Sequence, residues 1–359
     1  MCRTIALLLT GLVSGTALVA QDADTVETAT PILFSSSGPL TLTIEAPLSE
    51  IFKERDQESS YHSGVVVLEG GDGLGARLDV QLKTRGKFRL DRRNCGFPPL
   101  RVNFKKKQVE NTVFAGQDKL KLVTHCQDKR ADYEQYILLE HLVYRMFNLF
   151  TEMSYQVRLA RITYVDTEGD REPLTKYAFF IEDEDDMAGR NGWQVLQVPT
   201  VPPFEYTQDQ LNIVEVFQFL VGNTDWAAFT AAPDESGCCH NMTVIGNPAG
   251  PVFPVPYDFD WTGLVSARYA KPDPSLRIRS VRQRMYRGLC RAGDELDVTL
   301  PAFLKQKGAL YALVQDQEGL DEKQVEQTVK YLDEFYQIIE DPKKVKGEMY
   351  DRCWTPGAR

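Results

Sequence analysis

The sequence contains no C-x-x-C pair and no H-E-x-x-H, and it has only 4 histidines, which are scattered. Zinc chemistry with the usual ligand spacing is therefore excluded. No Ser-centred elbow is present, so an exported hydrolase has no nucleophile turn to build on. Past the N-terminus there is no second hydrophobic run long enough to span a membrane. Basic residues are outnumbered, 41 against 51 acidic, giving a net charge of -10. A general nucleic-acid binder needs the opposite balance, so no nucleic-acid partner is expected.

Apolar residues make up 43% and charged residues 26% of the 359 positions, an ordinary globular balance with room for a large core. Arg3 is followed by the apolar run 5–9 and by small residues ending at Ala20. This is the layout of a secretory signal peptide over residues 1–20, cut after Ala20 or, as a fallback, after Ala17. A secreted or periplasmic chain with no membrane span after cleavage follows from that reading. Cys2 would leave with the signal, and Cys95, Cys126, Cys238, Cys239, Cys290 and Cys353 remain. An even count in an exported chain suits disulfides whose pairing is open. The neighbours Cys238 and Cys239 would more easily reach two distant partners than each other.

Residues 21–30 read as a polar, disordered leader. From Pro31 the pattern is strand-like: 40–44 and 78–82 alternate, and 65–68 is β-branched. Gly70, Gly71, Gly73 and Gly75 join two of these strands as a turn, since no helix follows to make a phosphate cradle. Lys119 to Val123 forms a further strand with both lysines on one face. Residues 132–150 form the first convincing helix, with a broad apolar arc and a polar face of Glu134, His141, Arg145 and Asn148. Glu140 falls inside the apolar arc. A carboxylate there needs a cation, because a lone buried charge is costly; Lys119, Lys121, Lys83 and Arg85 are the candidates.

Strands resume at 157–165 and 177–181. The acidic run 182–186 reads as a solvated linker, and a boundary near residues 181–190 separates a β-rich region (31–181) from a mainly helical one (182–359). The helix 208–221 leads into Gly222-Asn223-Thr224-Asp225-Trp226. A hairpin over 244–256 then leads into Pro256-Tyr257-Asp258-Phe259-Asp260. Residues 265–291 are strongly basic, and helices near 300–315 and 322–339 close the chain.

The motifs Thr84-Arg85-Gly86, Tyr177 to Glu182, Gly222 to Asp225, Asn241 before a strand, and Pro256 to Asp260 occur in an order that resembles the CotH-type spore-coat kinase family, a secreted atypical kinase group. The resemblance covers roughly residues 75–265. It implies an α+β, two-lobed protein-kinase-like fold: a mostly antiparallel β lobe with one main helix, then a mainly α lobe. It also implies transfer of the ATP γ-phosphate to a protein or small-molecule hydroxyl, an acidic one if the 265–291 stretch takes part. Asp225 would handle the acceptor proton. Asn241, Asp258 and Asp260 would hold Mg²⁺ or Mn²⁺. Glu140 would hold a phosphate-binding cation, one of Lys121, Lys119 and Arg85. The segment between Asp225 and Asn241 would have to loop out of the site. The alternative the same residues allow is a pseudokinase, a nucleotide- or protein-binding module of the cell envelope.

Overall fold

The computed structural model describes residues 31–56, 58–70, 75–232, 237–290 and 295–355. The proposed signal peptide, the leader and part of the glycine turn lie outside them. The chain opens with β1 (Leu40–Ala46), a short helix α1 (Leu48–Ile51), β2 (His62–Leu68) and β3 (Arg77–Thr84). Then come β4 (Leu100–Phe104), the short α2 (Lys106–Val109), β5 (Lys119–Val123), the long α3 (Ala131–Asn148), β6 (Val157–Asp166) and β7 (Leu174–Ile181).

These seven strands close into a barrel in the order β1-β2-β3-β4-β5-β7-β6. All neighbours are antiparallel except β1 and β6, whose parallel pairing sets Leu40 against Ala160 and Ala46 against Asp166. Closure overturns the expected kinase-like architecture. The β-rich region is a sealed barrel with its own core, not an open lobe standing over a helical one. The alternation along each strand fills that core. Leu40, Leu42 and Ile44 from β1, Leu78, Val80 and Leu82 from β3, and Leu120 and Leu122 from β5 all point inward and are buried. Closing the ring also leaves its strands no unpaired edge.

Strand β7 serves two cores because its faces alternate. Ala178 and Phe180 enter the barrel, whereas Phe179 and Ile181 face outward into a second core. Helix α3 packs on that outer side through Leu139, Leu142, Val143, Met146 and Phe147. His141, expected on a polar face, is also buried: Gln317 lies 3.0 Å from its Nδ1 and the Phe179 ring packs beside it.

The second half contains α4 (Glu184–Arg190), β8 (Gln194–Val195), α5 (Gln208–Val221), β9 (Met242–Gly246) and β10 (Val252–Pro256). Helices α6 (Glu295–Lys305), α7 (Lys307–Gln315), α8 (Glu322–Ile339) and α9 (Pro342–Glu348) follow. Strands β8, β9 and β10 form a small antiparallel sheet. The acidic run is not a solvated linker. Glu182 is buried, its carboxylate is gripped at 3.0 Å by both Nε and Nη2 of Arg190, and its neighbours begin α4 under an Asp183 cap.

Helix α5 is buried nearly all round, Gln210, Asn212, Glu215 and Gln218 included, and forms the centre of this core. It ends at Gly222, whose left-handed φ of 65° suits a residue without Cβ. A Cβ there would also strike the Tyr331 hydroxyl of α8. Helix α8 buries Thr328, Tyr331, Leu332, Phe335, Tyr336 and Ile339 on one face, and Asp321 caps its start by accepting from the Gln324 amide.

Three cysteine pairs lie at disulfide distance: Cys95 with Cys126, Cys290 with Cys353, and the neighbours Cys238 with Cys239. The last pair corrects the expectation of two distant partners, since the two neighbours are paired with each other. No described helix is long and apolar enough to cross a membrane. Three bonded pairs suit a chain that matures in an oxidising compartment.

Candidate phosphate and metal cleft

Between the barrel wall and the second core lies a cleft of about 730 Å³. The residues singled out from sequence, namely Arg85, Lys119, Lys121, Glu140, Asp225, Asn241, Asp258 and Asp260, all line it. Two opposite surfaces meet there. The barrel side supplies Lys83, Arg85, Lys87, Arg89, Arg101, Lys119 and Lys121; the other side supplies Glu140, Asp225, Asp258 and Asp260.

The carboxylate side is built from two turns. Past Gly222, the Asn223 side chain accepts from the Asp225 backbone N–H at 2.9 Å and shapes the turn. Arg287 braces the same turn, donating from Nη1 to the Thr224 and Trp226 carbonyls at 2.7 Å each. Each Asp225 oxygen then meets one partner. Nε2 of His240 lies 3.0 Å from Oδ1, and the Asn241 amide donates to Oδ2 at 3.1 Å. A carboxylate only accepts, so the proton of that first contact belongs to His240. The described parts of the segment between Asp225 and Asn241 pair with the 198–201 stretch: the Cys238 N–H donates to the Val198 carbonyl at 2.8 Å, and the Phe229 carbonyl accepts from the Val201 N–H at 3.1 Å. Asn241 sits at a φ of 52° and also donates to the Asp225 carbonyl at 2.8 Å. Its amide oxygen accepts no hydrogen bond among the described residues.

The second turn follows β10. Asp258 has a φ of 60°, a conformation uncommon outside glycine, and its backbone N–H donates to the Tyr144 hydroxyl of α3 at 2.9 Å. Asp258 opens to the cleft floor yet is ringed by protein. The desolvation this causes, with Asp260 beside it, pushes its pKa up to about 6, while Arg89 and Arg85 work against the rise.

Glu140 is fully buried, and its cation is Arg89 rather than Lys119, Lys121, Lys83 or Arg85. Nη2 of Arg89 lies 3.0 Å from Glu140 Oε2 and 2.7 Å from Asp260 Oδ2. Burial pushes the Glu140 carboxyl up to about 8. Arg89 opposes this, and the crowding of Asp260 and Asp258 adds to it. Burial also disfavours the charge on Arg89, but Asp260, Tyr269, Glu140 and Asp258 outweigh it and hold the guanidinium above its usual range. Nothing periodic marks Arg89 in the sequence; it follows the basic turn after β3 and enters the interior on a single turn of helix at 88–90.

The sequence candidates on the barrel side have other roles. Lys121 is ion-paired to Glu184 at 3.2 Å and lies over the Tyr155 and Tyr257 rings. Burial holds its pKa below the usual lysine range, with Glu184 opposing. The Arg85 guanidinium faces Asp258, and burial lowers its pKa against that attraction. Lys119 stands exposed at the rim. The basic stretch 265–291 does not supply this surface: Arg284 is buried on the Tyr331 ring, Arg287 braces the Asp225 turn, and Arg268 pairs with Asp132 at 3.2 Å.

Glu140, Asp258 and Asp260 each offer an oxygen, all within 4.8 Å of one another. Hard oxygen donors of this kind fit Mg²⁺ or Mn²⁺. Arg89 already takes one oxygen from Glu140 and one from Asp260, and the Tyr269 hydroxyl also bonds to Asp260, so Asp258 is the carboxylate of this group most open to a metal. No family model matches the chain, and no curated protein matches it.

Proposed function

We propose that the cleft is the centre of a metal-dependent phosphotransferase that moves the γ-phosphate of ATP to a hydroxyl of a protein or small molecule, in an exported, secreted or periplasmic setting. The observation that carries this reading is the facing of Arg85 and Lys121 against Asp225, Asn241, Asp258 and Asp260 across one cleft. Such chemistry asks the protein mainly for positioning and charge neutralisation. The reading rests on the site and not on a kinase fold. The motif order keeps the CotH-type family as the proposed relative for the chemistry alone.

Asp225 accepts the acceptor hydroxyl's proton, since His240 and Asn241 fix its orientation and leave each oxygen a further lone pair. The hydroxyl oxygen bonds to the γ-phosphorus as the bond to the bridging oxygen breaks, and ADP departs with the electron pair. Arg85 and Lys121 stabilise the phosphate charge. Asn241, Asp258 and Asp260 would hold Mg²⁺ or Mn²⁺, which neutralises phosphate charge when bound.

One observation favours the second reading, a non-catalytic nucleotide- or protein-binding module: Arg89 occupies the space between Glu140 and Asp260, where a second metal ligand oxygen would otherwise be free. Incubating the purified chain with γ-labelled ATP, Mn²⁺ and an acceptor panel separates the two. Transfer lost in Asp225→Ala and Asp258→Ala supports the enzyme. Equal transfer by wild type and Asp258→Ala removes the assigned metal role, and stabilisation by nucleotide without turnover supports the module.

A further inference from the structure

The register of the barrel wall stacks like charges where a sheet ordinarily avoids them. Lys83 of β3 pairs directly with Arg101 of β4, and Arg101 pairs directly with Lys121 of β5. Side chains at directly paired positions share a face, so these three cations form one row on the outer face of the barrel, and all three line the cleft. Lys119, two residues from Lys121, lies on the same face. Lys121 has Glu184, and among the described residues Lys83 has the Tyr61 ring at 5.2 Å and no carboxylate. Arg101 and Lys119 have no carboxylate partner among the described residues.

Like charges set directly opposite each other destabilise a sheet. The row stands in a protein of net charge -10, where acidic partners are plentiful. Three strands place the cations over a span of about 10 Å, wider than a single small anion can contact at once. Arg85 and Lys121 already suffice for the phosphates in the reading above.

We infer that the Lys83–Arg101–Lys119 face is a subsite for a polyanion carrying several phosphate groups, either a linear condensed phosphate or a multiply phosphorylated ring. The inference goes beyond the catalytic reading and does not depend on turnover. A multivalent anion would neutralise several cations of the row together, and its binding would weaken steeply with added salt.

Calorimetric titration of the full chain with orthophosphate, tripolyphosphate and inositol hexakisphosphate tests this. At least one of the two polyanions is expected to bind about tenfold or more tighter than orthophosphate. Tighter tripolyphosphate supports the linear ligand; tighter hexakisphosphate supports the ring. Lys83→Gln with Arg101→Gln should weaken that binding about tenfold or more while leaving the melting temperature at or above that of the wild type. Asp225→Asn should retain the binding even if no phosphoryl transfer is ever detected, so this subsite and the catalytic reading fail separately. Orthophosphate binding as tightly as both polyanions, or unchanged polyanion affinity in the double variant, overturns the inference.

Discussion

Arg89 and Glu140 meet at 3.0 Å in the interior, where the turn after β3 reaches α3. Both side chains are nearly devoid of solvent, and Asp260 shares the same guanidinium. Removing the cation alone leaves two carboxylates without it. Arg89→Met is expected to lower stability by about 3–5 kcal/mol in urea unfolding. Glu140→Gln should cost clearly less, because burial already favours the neutral form of that carboxyl. The two effects should not add when combined. Equal costs for the two single variants would contradict this account.

The pH dependence of stability should carry the mark of His141. Burial lowers its pKa to about 3, so the folded chain keeps it neutral, while the unfolded chain takes up a proton near pH 6.5. The contribution is therefore complete above pH 6.5 and is lost as pH falls from there towards 3. The slope attributable to this residue approaches about 1.4 kcal/mol per pH unit. His125, also buried and lowered, acts with the same sign. Urea midpoints measured at pH 7 and pH 5 should converge in His141→Gln relative to wild type. An unchanged gap would assign the acid sensitivity elsewhere.

Gly222 has two reasons to lack a side chain: its left-handed backbone and the Tyr331 hydroxyl against it. Gly222→Ala should cost about 2 kcal/mol or more. Adding Tyr331→Phe should recover part of that cost by removing the struck oxygen. If the second change recovers nothing, the cost belongs to the backbone alone.

The Cys290–Cys353 pair closes a loop with a sequence separation of 63 and draws the chain end towards Phe229, whose ring stacks with Trp354 at 5.4 Å. Cys290→Ser with Cys353→Ser is expected to lower stability by about 4 kcal/mol on chain-entropy grounds. Thermal or urea unfolding of the oxidised wild type and the double variant measures it. A difference below about 1 kcal/mol would mean that the end is held by its other contacts.

Local order was legible in the sequence wherever one periodicity ruled a segment. The alternation at 40–44 and 78–82 yielded strands there because each buries one regular face, and the apolar arc of α3 yielded a helix even though residues 136–144 are buried on every side. The tight turns that carry Asp225 and Asp258 were legible from Gly222 and from the residues after β10. Closure of the barrel was not, since the pairing of Leu40 with Ala160 joins segments that carry no local sign of each other. Arg89 was hidden for a different reason: a cation in a basic, Gly-containing turn looks solvated, and only the packing of α3 against that turn draws it inward. His240 and the Cys238–Cys239 pair stand on an irregular loop with no period to read. The cation row escaped notice because strand register, not strand pattern, sets which residues of different strands face one another.

The parallel seam between β1 and β6 also orders events during folding. The first strand of the barrel has only β2 beside it until the chain has run through α3 and returned as β6. Contacts of such long sequence separation form late and slowly. Sealing the barrel thus waits on the same passage of chain that carries Glu140 into place beside Arg89. The helix that carries Glu140 and the strand that closes the barrel belong to one continuous stretch, 131–166, so the wall and the site draw on the same passage of chain.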